Sequence, residues 1–172
     1  MLTTVALFAS SRRQGNTGAV LDRIAAELGI EVIDLSETNI SPYDYSHYNR
    51  GDGFEPLIDQ VLRYEQIIFA APVYWYSVPP AMKSFIDRLN DLLDLPDLRK
   101  KGRLLRGKRA LVVATSGIDE ISQAFISMFR DTFAYLGMEY GGVLHVNCDG
   151  GYKKGCAEVE IQTFMSIIRG EG

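Results

Sequence analysis

Three stretches of the chain are continuously apolar over the length of a β-strand: residues 5–9, 67–71 and 110–114. Strands with this pattern are buried on both faces, as they are when helices cover a parallel sheet from above and below. Two further stretches predict weaker strands. Residues 31–35 alternate charged and apolar side chains, as an edge strand does, and residues 142–146 form the last candidate. The pattern therefore predicts five strands, three of them buried on both faces.

Helical periodicity fills the intervals between these strands. Apolar residues recur with i, i+3, i+4 and i+7 spacing in residues 54–62 and 82–93, and shorter stripes mark helices within 20–28 and 161–168. A further stripe comprises Phe125, Met128, Phe129, Thr132 and Leu136. Strand and helix thus alternate five times, which predicts an α/β fold with a doubly wound parallel sheet. The strand order 2-1-3-4-5 of flavodoxin-like three-layer sandwiches suits five strands, and we expect one domain over residues 1–172.

The composition narrows the class of protein. The 172 residues are 47% hydrophobic and 23% charged with a formal net charge of −4, which excludes a disordered chain. A pI near 5.2 argues against nucleic acid as a partner, and there is no run of about 18 apolar residues that would predict a membrane span. The two cysteines, Cys148 and Cys156, form no CxxC pair, and isolated thiols are typical of a reducing compartment. We therefore expect a cytoplasmic protein.

Ligands of doubly wound sheets bind beyond the carboxyl ends of the strands, where the strand order reverses. For the order 2-1-3-4-5, the loops after Ala9, Ala71 and Ala114 should form this site. The first loop, residues 10–17, reads SSRRQGNT and leads into a helix. Two hydroxyls, two arginines and the amides of a helix N-terminus are donors suited to a phosphate. The Asn16 side chain taken alone also fits a helix N-cap.

The second loop, residues 72–80, reads PVYWYSVPP. Three consecutive aromatic residues after a buried strand cannot all face one core, and their planar faces suit stacking on a conjugated ring system. A compatible interpretation is that Tyr74 and Trp75 cover the sheet edge or a subunit interface. The third loop, residues 115–119, reads TSGID; it is small and polar, and it ends at Asp119, a candidate N-cap.

Other motifs do not favour a different chemistry. Residues 102–109 (GRLLRGKR) resemble a P-loop, but Arg109 replaces its metal-binding hydroxyl residue and the segment precedes a strand instead of following one. Loop 10–17 contains no cysteine, which excludes a low-molecular-weight phosphatase.

Histidines and clustered basic residues add no separate site. His47 and His145 lack metal-ligand spacing; a structural role in a strand fits His145, and a surface loop fits His47. The basic residues of segment 99–109 are expected to be solvated, with contact to the phosphates of a pyridine nucleotide as the alternative.

Three stretches together resemble the NADPH-dependent FMN reductase family, whose fold is flavodoxin-like: S-x-R-x-x-G-N-T at 10–17, PVYW at 72–75 and K-x-F-I-D-R at 83–88. The similarity extends over residues 7–141. It implies a phosphate site for FMN made by Ser10, Arg12, Asn16 and Thr17, a ribityl and isoalloxazine site along Pro72, Val73, Tyr74, Trp75 and Tyr76, and contacts on the other side of the ring from Thr115, Ser116 and Gly117. The connection 36–53 lacks the cysteine cluster of iron–sulfur relatives, which leaves the flavin as the only redox centre.

The function implied by the resemblance is that of an FMN-dependent NAD(P)H oxidoreductase. NADPH or NADH would reduce the bound FMN, and a second small-molecule acceptor, such as a quinone or free flavin, would receive the electrons. We assign no general acid or base, because the cofactor supplies the chemistry. The alternative is a non-enzymatic flavodoxin-like electron carrier, although such carriers tend to be acidic around the flavin and this chain has Arg12 and Arg13 there. The resemblance also implies a homodimer or higher homo-oligomer with the flavin near the interface.

Overall fold

The computed structural model describes residues 2–171, which form a parallel sheet covered by helices. The strands are β1 (Thr4–Phe8), β2 (Glu31–Asp34), β3 (Gln66–Pro72), β4 (Arg109–Ser116) and β5 (Glu139–Asn147). The helices are α1 (Asn16–Leu28), α2 (Phe54–Val61), α3 (Pro80–Arg88), α4 (Asp91–Asp94), α5 (Arg99–Arg103), α6 (Gln123–Leu136) and α7 (Glu158–Arg169). Within this range, no helix combines the length and apolar character needed to cross a membrane.

The strand order is β2-β1-β3-β4-β5, and every pairing is parallel. The predicted flavodoxin-like arrangement is therefore confirmed, with β2 at one edge as its alternating sequence indicated. The strands differ from their predicted bounds by a few residues. Because β3 and β4 extend further than predicted, Pro72, Thr115 and Ser116 are the last residues of strands instead of the first residues of loops.

Alternate side chains of each strand enter two hydrophobic cores, one on each face of the sheet. In β1, Val5 and Leu7 contribute to the core under α2, α3 and α6, whereas Ala6 and Phe8 contribute to the core under α1 and α7. This division explains why the central strands are apolar at every position.

The stripe predicted on α6 needs one correction. Phe133 is fully buried, with its ring centroid 4.8 Å from that of Phe69 in β3. Thr132 is only half-buried, and its hydroxyl donates to the Met128 carbonyl one turn earlier. Phenylalanines four residues apart thus form the row that faces the sheet, and Thr132 lies beside it.

A buried ion cluster fixes the long connection between β2 and α2. Arg88, which is 1% exposed, donates to Asp52 Oδ2 at 2.6 Å and to Asp91 Oδ2 at 2.7 Å. His47 lies in this connection, as expected, but its imidazole is half-buried, with Nδ1 3.1 Å from Asp91 Oδ1. The cluster therefore joins the connection to α3, and His47 has a structural contact there.

The basic segment 99–109 lies at the amino ends of the strands. The Arg109 amide donates to the Glu65 carbonyl just before β3, and the Gly107 amide donates to the Gly137 carbonyl just after α6. Lys101 forms an ion pair with Asp59. This position is opposite to the edge at which ligands of doubly wound sheets bind, which favours the solvated interpretation over contact with a nucleotide.

Candidate functional site

The ends of β1, β3 and β4 surround two adjoining cavities at the carboxyl edge of the sheet. One cavity has a volume of about 220 Å³ and is mainly polar; its lining consists of Ser10, Arg12, Gly15, Asn16, Thr17, Pro72, Val73, Tyr74, Thr115, Ser116, Gly117 and Cys148. The other also measures about 220 Å³, and its lining consists of Val73, Trp75, Tyr76, Ser116, Gly117, Ile118, Ile121 and Ser122. We call them the polar cavity and the aromatic cavity. All twelve residues predicted for the site line one or both of them.

A cavity of about 340 Å³ between the C-terminal halves of α3 and α6 is larger than either. It lies toward the amino ends of the strands, and the helix N-terminus that reaches it, at Asn90, belongs to α4, a single turn of four residues. Size alone would select this cavity, but the topology of the sheet and the chemistry of the lining favour the pair at the carboxyl edge.

Helix α1 begins at the polar cavity without a capping side chain among the described residues. The N-cap position is Gly15, and Asn16 is already the first helical residue. The N-cap interpretation of Asn16 is therefore wrong; its Oδ1 instead accepts a hydrogen bond of 3.0 Å from the Tyr152 amide. The amides of the first turn thus remain available to an anion, which the positive end of the helix dipole favours.

The two arginines of the first loop have different environments. Arg13 pairs with Asp22 at 2.7 Å, and its guanidinium lies 5.0 Å from the centroid of the Phe8 ring. Arg12 is exposed and lines the polar cavity, and no carboxylate within residues 2–171 is close enough to pair with it. Arg12 is therefore the cation left for a ligand.

The backbone of this loop requires glycine at position 18. A Cβ atom placed on Gly18 would lie 1.9 Å from the Arg13 carbonyl oxygen, a distance that no real contact allows. The close approach lets the loop fold back against the first turn of α1. Gly18 consequently shapes the polar cavity without lining it.

Hydroxyl groups connect the first loop with β3 and β4. The Thr17 and Thr115 hydroxyls are 2.6 Å apart and buried, which joins the start of α1 to the end of β4. Burial raises the pKa of the Tyr74 phenol, but hydrogen bonds from Ser11 and Ser10 outweigh this effect, and the net pKa of Tyr74 is lowered. These contacts join Tyr74 to the first loop.

Trp75 and Tyr76 form a tight turn at the mouth of the aromatic cavity. The amide of Tyr74 donates to the Ser77 carbonyl at 2.8 Å, and the Ser77 amide donates back at 3.0 Å. Both central residues have positive φ angles, 48° for Trp75 and 62° for Tyr76, as in a type I′ turn, where Asn-Gly is the usual sequence. Trp75 is 94% exposed and Tyr76 is 63% exposed.

Positive φ angles raise the free energy of residues with bulky side chains, and the burial of these two side chains offsets little of this cost. Strain of this kind persists mainly at ligand sites, where the surroundings impose it. The two rings are thus held over the cavity in an orientation that an unstrained turn would not give. No sequence signal distinguishes this turn, because its residues are those that normally avoid it.

The loop after β4 is held by Ser116. The Ser116 hydroxyl accepts a hydrogen bond from the Ile118 amide at 3.2 Å, and it lies 2.7 Å from His145 Nε2. The candidate N-cap Asp119 is wrong: Ser122 caps α6 by accepting a hydrogen bond from the Ala124 amide. Asp119 instead accepts a hydrogen bond from Asn147 at the end of β5.

Sequence reasoning missed part of the lining. Cys148 follows β5, and its amide donates to the Ser116 carbonyl at 2.7 Å. It is a free, buried thiol whose pKa is raised by burial. Ile118, Ile121 and Ser122 contribute to the aromatic cavity from the loop before α6. The position of Cys148 next to the carboxyl end of a strand was the only available signal.

Comparison with known proteins assigns the chain to a family. The NADPH-dependent FMN reductase family matches residues 2–151, which is most of the chain. The chain belongs to the NADPH-dependent FMN reductase family. As a member of this family it is an NAD(P)H-dependent oxidoreductase with FMN as its cofactor, as the resemblance implied. The assignment decides for an enzyme and against the electron carrier considered as the alternative.

Individual relatives agree with the family. A Bacillus subtilis protein, YwqN, named as an NAD(P)H-dependent FMN-containing oxidoreductase, is 26% identical over 140 residues that cover 77% of each chain. Human ribosyldihydronicotinamide dehydrogenase [quinone] is 31% identical over 120 residues, which are 61% of this chain and 52% of that protein. Among solved structures, a protein of Bacillus subtilis described as a Trp repressor binding protein superposes with a TM-score of 0.73 at 20% identity, covering 96% of this chain and 97% of that one.

Proposed function

We propose that this FMN reductase holds its cofactor across the polar and aromatic cavities. The phosphate would lie at the N-terminus of α1, in contact with Ser10, Arg12, Asn16 and Thr17. The ribityl chain and the ring would follow Pro72, Val73, Tyr74, Trp75 and Tyr76, with Thr115, Ser116 and Gly117 on the other side. The observation that carries the proposal is the uncapped N-terminus of α1 opening into a cavity that also contains Arg12, which has no carboxylate partner within residues 2–171.

The described residues fit FMN in charge and in shape. A phosphate dianion satisfies the first-turn amides of α1 and the Arg12 guanidinium, and bonds of this charge-assisted type are the strong ones. The neighbouring aromatic cavity offers Trp75, Tyr76 and Val73 to a planar ring. FMN, when bound, supplies the redox chemistry: it takes a hydride from the nicotinamide and passes two electrons to a second acceptor.

The chain itself binds, orients and shields. Arg12 and α1 fix the phosphate end, so the ring end has a defined position relative to Trp75 and Tyr76. These rings exclude water from one side of the aromatic cavity, and Gly117, which has no side chain, lets a ligand approach the β4 backbone closely.

We further propose that the second acceptor is a quinone, with free flavin as the other candidate. The name of the human relative supports the same acceptor class.

We propose in addition that a second copy of this chain covers the aromatic turn. An indole that is 94% exposed at the tip of a turn is a typical interface residue. Light scattering after size exclusion should give twice the mass of one chain, and the variant Trp75→Ser should shift the mass toward that of one chain. An unchanged mass in this variant would place the interface elsewhere.

Anaerobic stopped-flow spectroscopy tests the proposed function. The FMN-loaded protein should lose its absorbance near 450 nm when mixed with NADPH or NADH, and a quinone should restore it. The matched control is the same experiment with Arg12→Gln, which should bind less FMN while the chain remains folded. A protein that binds no FMN, or that binds it and is not reduced by either nucleotide, contradicts the proposal.

A further inference from the structure

Ser116 connects the candidate site with His145, a residue that lines neither of its cavities. Ser116 lines both cavities, and its Oγ lies 2.7 Å from His145 Nε2. His145 belongs to β5, the outermost strand on this side of the sheet, and is only half-buried. The pair therefore extends from the interior of the site to the open edge of the sheet.

The hydrogen bonds of Ser116 define the direction of this contact. Its oxygen accepts from the Ile118 amide, and its single hydroxyl hydrogen has two acceptors within reach, the Ile118 carbonyl at 3.3 Å and His145 Nε2 at 2.7 Å, of which the imidazole nitrogen is the nearer. A neutral His145 accepts that hydrogen at Nε2 and carries its own proton on Nδ1. A protonated His145 instead donates from Nε2 to the Ser116 oxygen, and the hydroxyl hydrogen then turns to another acceptor, such as a group in the cavity.

The proposed reaction consumes a proton. Reduction of a quinone by NAD(P)H follows NAD(P)H + H⁺ + quinone → NAD(P)⁺ + hydroquinone. The hydride of the nicotinamide provides two electrons and one proton, and the second O–H bond needs a proton from solvent. A site that encloses the acceptor must therefore conduct this proton.

The titratable side chains that line the two cavities are poor sources for it. They are Arg12, Tyr74, Tyr76 and Cys148. An arginine does not release protons near neutral pH, and burial raises the pKa of Cys148. The Tyr74 phenol is engaged with Ser10 and Ser11, and Tyr76 lies at the exposed turn. Histidine is the side chain that exchanges protons between pH 5 and 8, and His145 reaches the cavities through Ser116.

We propose that His145 and Ser116 form a proton relay that supplies the reduced acceptor from solvent, an inference that rests on the proposed function. The His145 Nε2–H bond breaks as a proton passes to the Ser116 oxygen, and the Ser116 O–H bond breaks as its proton passes to the acceptor oxygen. His145, neutral after the transfer, takes a new proton from water at the edge of the sheet. Ser116 touches the acceptor, and His145 acts through Ser116 as a positioning and proton-donating residue.

The surroundings of His145 fit this role. Burial lowers its pKa below the usual value of 6.5, so the neutral form predominates at pH 7 and the charged form gives up its proton readily. Glu160 on α7 lines a surface cavity together with His145. The other charged groups on the elements packed against β5 are Arg109 on β4, Asp119 in the loop after β4, Arg130 and Asp131 on α6, and Glu158 and Arg169 on α7. Burial, and none of these charges, accounts for the shift.

The relay is tested by two acceptors that differ in their need for protons. Reduced protein is mixed with excess quinone, which takes up protons, or with ferricyanide, which takes up only electrons. With His145→Gln, reoxidation by quinone should slow on the order of 100-fold, the usual size of general acid catalysis, while reoxidation by ferricyanide is unchanged. The rise of the quinone rate toward low pH should also disappear. His47→Gln is the matched control, because the chain has only two histidines, and it should retain both rates.

Three further measurements separate a relay from a merely structural contact. Ser116→Ala should slow the quinone step to the same extent, with no additional loss in the double variant, and added imidazole should restore the quinone rate of His145→Gly. In the FMN-free protein, ¹⁵N NMR should show His145 with its proton on Nδ1, and this preference should disappear in Ser116→Ala.

The outcomes distinguish the relay from the function on which it rests. If wild-type protein binds no FMN or is not reduced by NAD(P)H, the proposed function fails. If both steps occur, three results would each overturn the relay: an unchanged quinone rate in His145→Gln, an equal loss with both acceptors, or an Nε2–H tautomer in the FMN-free protein.

Discussion

The aromatic turn should become more stable when its two central residues are replaced by the sequence that such turns normally contain. We consider Trp75→Asn combined with Tyr76→Gly. Each left-handed position costs an L-residue with a bulky side chain roughly 1–2 kcal/mol, and glycine adds about 0.5–1 kcal/mol of chain entropy to the cost of folding. Within one chain the loss of burial is minor, because Trp75 is 94% exposed and Tyr76 is 63% exposed, and variant and wild type are compared at a protein concentration at which both are monomers. The net expectation is a gain of about 1–2 kcal/mol in the free energy of unfolding.

The assay is thermal unfolding of the FMN-free protein, followed by circular dichroism. For a chain of this length, about 1 kcal/mol corresponds to a shift of roughly 2–4 °C in Tm, so the double variant should melt about 4 °C higher. The affinity for FMN should fall in the same double variant. The loss of two stacking partners, each worth about 0.5–1.5 kcal/mol, should weaken the affinity on the order of tenfold.

The control is Trp75→Phe combined with Tyr76→Phe, which keeps both rings and both strained positions. It should leave Tm unchanged and retain most of the FMN affinity. A double variant Trp75→Asn, Tyr76→Gly that melts at or below the wild-type temperature would refute the strain argument. An unchanged FMN affinity would refute the role of the rings.

Three other predictions concern the loop before α1 and the buried ion cluster. Arg12→Gln should weaken FMN binding about 10- to 100-fold, which is the contribution of a hydrogen bond to a charged group, and it should leave Tm unchanged. The control Arg13→Gln should leave the FMN affinity nearly unchanged. Equal losses of affinity in FMN titrations of the two variants would contradict this prediction. Gly18→Ala should lower the free energy of unfolding, measured by urea titration, by about 1–3 kcal/mol, because the new Cβ would lie 1.9 Å from the Arg13 carbonyl oxygen. A variant as stable as the wild type would contradict this and show that the loop adapts. Burial raises the pKa of Asp52, but hydrogen bonds from Arg88 and from two backbone amides outweigh this effect, so the pKa of Asp52 in the folded protein is lowered. The stability contributed by the Asp52–Arg88 pair is therefore present above the unfolded pKa of about 4 and is lost as pH falls through the folded pKa. Urea titrations at several pH values should show a smaller pH dependence of the free energy of unfolding in Asp52→Asn.

Much of the fold could be predicted because the central strands are apolar at every position. The strand order followed from the alternation of strands and helices, and the site followed from the order, since the carboxyl ends of neighbouring parallel strands must meet. Local conformation was harder to predict. Asn16 and Asp119 both have side chains that favour N-caps, yet Gly15 and Ser122 hold those positions, because contacts with distant segments set where each helix begins.

Features that depend on tertiary contacts left no signal in the sequence. The contact between Ser116 and His145 joins residues on neighbouring strands, and its register could not be derived before β4 and β5 were paired. The positive φ angles of Trp75 and Tyr76 contradict the preferences of both residues. Departures from local preference of this kind are expected where a binding site imposes a conformation.

The most direct test of the site is the affinity of the FMN-free protein for FMN compared with riboflavin, measured by the quenching of flavin fluorescence. The two ligands share the ring and the ribityl chain and differ only in the phosphate. With the phosphate on the uncapped N-terminus of α1 and on Arg12, FMN should bind on the order of 100-fold more tightly or better, and Arg12→Gln should reduce that ratio. Equal affinities for FMN and riboflavin would contradict the account.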